Sequence, residues 1–203
     1  MSKPSTRDLI NLVKDIVFPF YSVKRHTALH FDANRFENDA EHSWSVAFVA
    51  LSLAPHTDTT LDVGKVCQFA TVHDLVEVYA GDTSNFADAS KRATKEQREE
   101  DALHKLEQKL TALPWVAATV REYEAQVLPE ARFVKSIDKL LPLLFDYIEE
   151  GFFYHENKIT MDEWKQHMQK HREKAAKHPG VFEYYEELWD LLLANPHLFH
   201  QDK

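Results

Sequence analysis

The run His73-Asp74-Leu75-Val76-Glu77 places one imidazole and two carboxylates within a single short stretch. On a helix, residues three and four apart share a face, so His73 and Glu77 point the same way with Asp74 close to both. An adjacent His-Asp pair can reach one ion that lies near the helix surface. Imidazole combined with carboxylate suits a borderline divalent ion such as Mn, Co, Fe, Ni or Zn. Alone, the dipeptide is a weak signal, because such pairs arise by chance and more often form surface ion pairs. Its neighbours Val66, Phe69, Ala70, Val72, Leu75 and Val76 are apolar, and polar groups buried in such a stretch need partners.

Two further segments repeat the pattern. Ala40-Glu41-His42-Ser43-Trp44 leads into Val46, Ala47, Val49, Ala50 and Leu51, and Val134-Lys135-Ser136-Ile137-Asp138-Lys139-Leu140-Leu141 sets one carboxylate among apolar residues. Two histidines and two aspartates on three helices can converge inside a bundle, a common way to build a metal site.

The ordered set His…His-Asp…Asp resembles the signature of the HD-domain phosphohydrolase superfamily. Longer stretches narrow the resemblance to its 5′-deoxynucleotidase branch. Arg35-Phe36-Glu37-Asn38-Asp39-Ala40-Glu41-His42-Ser43 is similar to the first-histidine motif. His73-Asp74-Leu75-Val76-Glu77-Val78-Tyr79-Ala80-Gly81-Asp82 is similar to the central motif, and Glu130-Ala131-Arg132-Phe133-Val134-Lys135-Ser136-Ile137-Asp138-Lys139-Leu140 to the last-aspartate motif. The similarity runs from about residue 10 to 150.

The resemblance implies an all-α fold, a single HD-domain helical bundle with a metal site between helices. It implies one divalent ion held by His42, His73, Asp74 and Asp138, and release of phosphate from nucleoside 5′-monophosphates. Glu77 would be the catalytic carboxylate, Asp82 a further acidic residue near the site, and the protein a homodimer. A divalent ion acidifies water and polarises a phosphoryl oxygen, while Glu77, with help from Asp82, can position the attacking water or protonate the leaving ribose oxygen. Phosphoryl transfer depends mainly on placement and charge stabilisation, so a basic residue is expected near the phosphate. Arg25 and Arg35 are the substrate-binding candidates, ahead of Lys135 and Lys139. In the branch, an aromatic residue follows the arginine upstream of the first histidine and helps hold the sugar. Here Arg25 is followed by His26-Thr27-Ala28, which leaves the sugar preference unassigned. Two rivals stay open: an HD hydrolase of another phosphorylated metabolite or a phosphodiester, and a non-catalytic metal- or nucleotide-binding HD module. Retention of both Glu77 and Asp82 favours catalysis.

The elements that must position these groups are helical. Four glycines in 203 residues are few for a strand-rich fold, and apolar residues recur at helical spacing. The first helix follows Ser5 and Thr6 towards Pro19, and a polar, aromatic stretch leads from there to Asp39. Helices are predicted over about 40–53, 62–79, 91–110, 114–123, 129–153, 162–177 and 181–194, with a kink or break at Pro142. The stretch 82–90 reads as an irregular rim, and the charge run 95–101 as a solvated helix face. Residues 1–203 read as one domain, with a motif core at about 35–140 on which the helices of 162–194 pack.

Composition narrows the function classes. A net charge of −9 disfavours binding to nucleic-acid polymers or an anionic membrane, but does not exclude a small phosphate ester. The single cysteine, Cys67, cannot form an internal disulfide and reads as a small buried hydrophobe. The segment 1–8 lacks a signal-peptide pattern, and no run of about 18 apolar residues exists, so a cytoplasmic protein is expected. The remaining histidines, His30 among them, read as surface or structural residues.

Overall fold

The computed structural model describes residues 3–29, 35–84 and 86–201; His30 lies outside them. Helices dominate. The chain opens with α1 (Thr6–Leu12), a π-helical turn (Val13–Val17) and α2 (Phe18–Ser22), which follow one another without interruption. An antiparallel hairpin comes next, β1 (Lys24–Leu29) and β2 (Arg35–Asn38), with Ala28 opposite Phe36 and Leu29 opposite Arg35. The bundle is then built from α3 (Asp39–Thr57), α4 (Val63–Val72), α5 (Glu77–Ala80), α6 (Ala89–Ala93), α7 (Lys95–Lys109), α8 (Pro114–Glu124), α9 (Pro129–Ile148), α10 (Phe152–Glu156), α11 (Met161–Ala175) and α12 (Pro179–Ala194).

Among the described residues the bundle is all-α apart from the hairpin, which forms within the polar, aromatic stretch before Asp39. With few β-branched residues and no Asn-Gly turn, that segment carries no short-range strand signal. Three expected helices are divided. The helix expected over 62–79 stops at Val72; Leu75, Val78 and Tyr79 bond three residues back, and a second short helix starts at Glu77. The helix expected over 91–110 breaks at Thr94. The helix expected over 129–153 runs through Pro142 to Ile148, then turns at Gly151. Proline removes one donor, so only the bond back to the Asp138 carbonyl is forgone. The surrounding burial holds the helix together at that point: Ile137, Leu140, Leu141 and Leu143 are all in the core.

The core has two parts. The larger joins α3, α4, α9, α11 and α12, with Phe69, Phe133, Ile137, Trp164 and Tyr185 fully buried. The smaller joins the N-terminal helices to α7 through Ile16, Phe20, Leu103 and Leu106. The turn 73–76 lies at their seam: Phe69 and Ala70 belong to the first cluster, Val72, Leu75 and Val76 to the second. Helix α3 packs on α4 and α9, and α11 and α12 pack on α9. Cys67 is half-buried. Among the described residues, no helix is long and apolar enough to cross a membrane.

Candidate metal centre

Local sequence fixes where each polar group enters the core. Asn38 caps α3: its side chain accepts from the Ala40 and Glu41 amides at 3.0 Å each, and Glu41 accepts the Asn38 amide in return. This reciprocal cap stabilises the helix start by about 1 kcal/mol and sets His42 on its first turn. The tightened turn after Val72 presents His73 and Asp74, and the apolar periodicity of α9 carries Asp138 inward among Val134, Ile137 and Leu141.

These four residues converge. One donor atom from each of His42, His73, Asp74 and Asp138 lies within 4.8 Å of all the others, and all four residues are buried. His42 Nε2 is 3.2 Å from Asp138 Oδ1 and 3.8 Å from Asp74 Oδ2. His73 Nε2 is 3.1 Å from Asp74 Oδ2 and 3.9 Å from Asp138 Oδ1, and has no hydrogen-bond partner. The other nitrogen, His73 Nδ1, donates to the Ala70 carbonyl at 2.9 Å, which leaves the Nε2 lone pair facing the cluster. Donors that share an ion at roughly 2.0–2.2 Å stand about this far apart.

Charge makes the same case for a cation. Glu37, Asp39, Asp74, Glu77 and Asp138 are five buried carboxylates, and they face three cations, Arg25, Lys135 and Lys139. Carboxylates outnumber cations there, an excess of negative charge that favours a bound cation. Without one, protons relieve it: burial and the charge of Asp74 push the Asp39 carboxyl up to about 8. Burial, then the charges of Asp74 and Asp82, hold Glu77 well above the usual carboxylate range. The two aspartates of the four-donor set go the other way. Burial opposes ionisation of Asp74, but His73 and Arg25 outweigh it and keep the carboxyl well below its ordinary value. At Asp138, Lys139 and Lys135 outweigh burial in the same way.

The other sequence candidates divide. Glu77 is buried beside the four, its Oε2 without a hydrogen bond and 4.0 Å from Arg25 Nη1. Asp82 lies on the rim, near enough for its charge to act on Arg25, Asp39 and Glu77. Arg25 is drawn fully into the cluster, with Nη1 donating to Asp74 Oδ2 at 2.7 Å. Arg35 is not brought there: its guanidinium forks onto the exposed carboxylate of Glu41, with both N–H groups at 2.8 Å. Lys135 and Lys139 approach the second oxygen of Asp138 at 3.2 and 2.9 Å.

Three roles escaped the sequence reading. Glu37 Oε2 stands 3.3 Å from His42 Nδ1, behind the ring, and 3.4 Å from Arg25 Nε. Asp39 lies 3.5 Å from Arg25 Nη1. Two acidic residues just before His42 were the available signal, but only the hairpin turns them inward. Arg98 belongs to the charge run 95–101, whose pattern predicts a solvated face, yet it donates to the Ala80 carbonyl at 2.6 Å and to Thr83 Oγ1 at 2.8 Å, tying down the rim that carries Asp82.

Comparison with known proteins agrees with this geometry. A family model described as "HD domain" matches residues 21–179. The 5′-deoxynucleotidase HDDC2 of Bos taurus is 30% identical over 141 residues, 68% of this chain and 66% of that one, so the match spans just under two thirds of that relative's length. The 5′-deoxynucleotidase hdd1 of Schizosaccharomyces pombe is 25% identical over 169 residues, covering 79% of this chain and 82% of its own. The crystal structure of a predicted metal-dependent phosphohydrolase from Magnetospirillum magnetotacticum MS-1 superposes with a TM-score of 0.75 at 31% identity, covering 95% of this chain and 96% of that one.

Proposed function

The chain belongs to the HD-domain family of metal-dependent phosphohydrolases, and on that premise we propose that it is a 5′-nucleotidase, releasing phosphate from (deoxy)nucleoside 5′-monophosphates. The observation that carries the reading is the buried set His42, His73, Asp74 and Asp138 with the carboxyl of Glu77 beside it. Relatives named as 5′-deoxynucleotidases supply the substrate class.

The donor set fits one ion of the Mn, Co, Fe, Ni or Zn kind, which His42, His73, Asp74 and Asp138 would hold. When bound, that ion supplies Lewis acidity towards the phosphoryl group. The chain's own residues do the rest. Hydrolysis adds water at phosphorus and breaks the bond from phosphorus to the ribose 5′ oxygen, and that oxygen leaves more readily if it receives a proton. Glu77, buried beside the donor set with its Oε2 in no hydrogen bond, is the group placed to deliver that proton, with Asp82 as the second acidic group at the rim. Arg25 anchors through Nη1 to Asp74, and Nη2, which donates no hydrogen bond among the described residues, is the arm offered to a phosphoryl oxygen.

We assign the apolar stripe of α3 to a second copy of the chain. Trp44 and Phe48 stack with ring centroids 5.4 Å apart, are 67% and 58% exposed, and continue into exposed Leu51. Sedimentation should show a dimer that Trp44→Glu converts to monomer.

The function is tested by stripping metal with a chelator and assaying phosphate release from the ribo- and deoxyribonucleoside 5′-monophosphates with added Mn²⁺ or Co²⁺. Metal-dependent release from mononucleotides is expected. No release from any of them, together with turnover of another phosphate monoester or a phosphodiester, would overturn the reading.

A further inference from the structure

A second set of donors adjoins the first. Asp39, Asp74 and Glu77 each offer a carboxylate oxygen within 4.8 Å of the others, and all three are buried. Asp74 belongs to both sets, in the position of a carboxylate that could bridge two cations. Two oxygens here, Asp39 Oδ2 and Glu77 Oε2, are buried with no hydrogen-bond partner, so no donor satisfies them. The place is nonetheless filled. Arg25 Nη1 stands 2.7 Å from Asp74 Oδ2, 3.5 Å from Asp39 Oδ1 and 4.0 Å from Glu77 Oε2.

We propose that Arg25 is a built-in cation at the second of two adjacent cation positions, limiting the protein to one divalent ion per chain. In two-metal hydrolases, paired ions clamp the attacking and leaving oxygens. A guanidinium can take over part of that work. It is charged at all pH values of interest and cannot be chelated away. Its planar fork lets Nη1 hold the shared aspartate while Nη2 remains for a phosphoryl oxygen. The hairpin makes the arrangement possible. Strand β1 delivers Arg25, strand β2 delivers Glu37 to its Nε at 3.4 Å, and Asp39 follows at the start of α3. Removing the guanidinium should leave three adjacent carboxylates with no counter-charge, a set that a hard or borderline divalent ion would fill.

This inference rests on the metal-centre reading above, and metal stoichiometry separates the two. Wild type, Arg25→Ala, Arg25→Met and Arg25→Lys are titrated with Mn²⁺ by isothermal calorimetry, and bound metal is counted by mass spectrometry after desalting. One Mn²⁺ per chain is expected in wild type and in Arg25→Lys, and two in Arg25→Ala or Arg25→Met. The pair should give a spin-coupled Mn²⁺ resonance that wild type lacks, and Arg25→Ala combined with Asp39→Asn should return to one. If Arg25→Ala fails to fold by circular dichroism, Arg25→Met, which keeps the aliphatic stem, carries the comparison. Two ions in wild type, or one in every Arg25 variant, overturns the proposal and leaves the four-residue site intact. No ion in wild type overturns both.

Discussion

Glu37 Oε2 lies 3.3 Å from His42 Nδ1, so a buried carboxylate backs the imidazole whose Nε2 faces Asp138 and Asp74. Neither atom makes a hydrogen bond in this geometry, so the contact is one of charge against ring, and a carboxylate placed behind a metal-holding histidine raises the basicity of the ring.

Glu37→Gln is therefore expected to weaken Mn²⁺ binding by about 10- to 100-fold while the fold persists. Calorimetric titration of the chelator-stripped protein measures it. Unchanged affinity would show that the carboxylate serves only Arg25.

Glu77→Gln keeps the size of the side chain but cannot deliver a proton to a leaving oxygen. Turnover should fall by roughly 10²- to 10⁴-fold, with metal content as in wild type. Equal turnover of the two proteins would remove Glu77 from the chemistry.

A pH effect on stability is expected far from the metal centre. Asp146 accepts from the Tyr154 hydroxyl at 2.6 Å, and that hydroxyl in turn accepts from Trp164 Nε1 at 2.8 Å. Burial pushes the Asp146 carboxyl from 3.8 up to about 7. Between those values the folded chain holds a proton that the unfolded chain has released. The contribution of Asp146 is thus fully present below about pH 4 and declines as pH rises to about 7. Urea unfolding of wild type against Asp146→Asn across this range should show the extra decline in wild type alone. Parallel pH profiles would contradict it.

Gly151 carries a positive φ of 68° and lies against the backbone of Leu198. A Cβ there would stand 1.9 Å from the Leu198 carbonyl oxygen. Neither strain nor clash can be relieved by a side-chain rotation. Gly151→Ala should cost about 2–4 kcal/mol, read as a lowered midpoint in thermal unfolding. An unaltered midpoint would mean that the C-terminal turn is free to move away.

Much of the architecture was legible from residue types. Helical periodicity marked most of the helices, and the three motif segments located His42, His73, Asp74 and Asp138, because polar groups stand out where apolar neighbours demand burial. The break at Thr94 was not legible, because nothing in the local pattern opposes a continuous helix there, whereas the break at 149–151 had its signal in Gly151, a residue common just past helix ends. What surrounds these four residues came from tertiary structure alone. Arg25 and Arg35 look alike in sequence, and β1 sends one into the carboxylate cluster while β2 leaves the other on Glu41. Glu37 and Asp39 gained their roles the same way, through a hairpin held by long-range packing with little local propensity behind it. The sequence by itself determined which groups could hold a metal. The tertiary structure decided which charges stand beside them, because an electrostatic partner is chosen by distance in space, and distance along the chain does not set it.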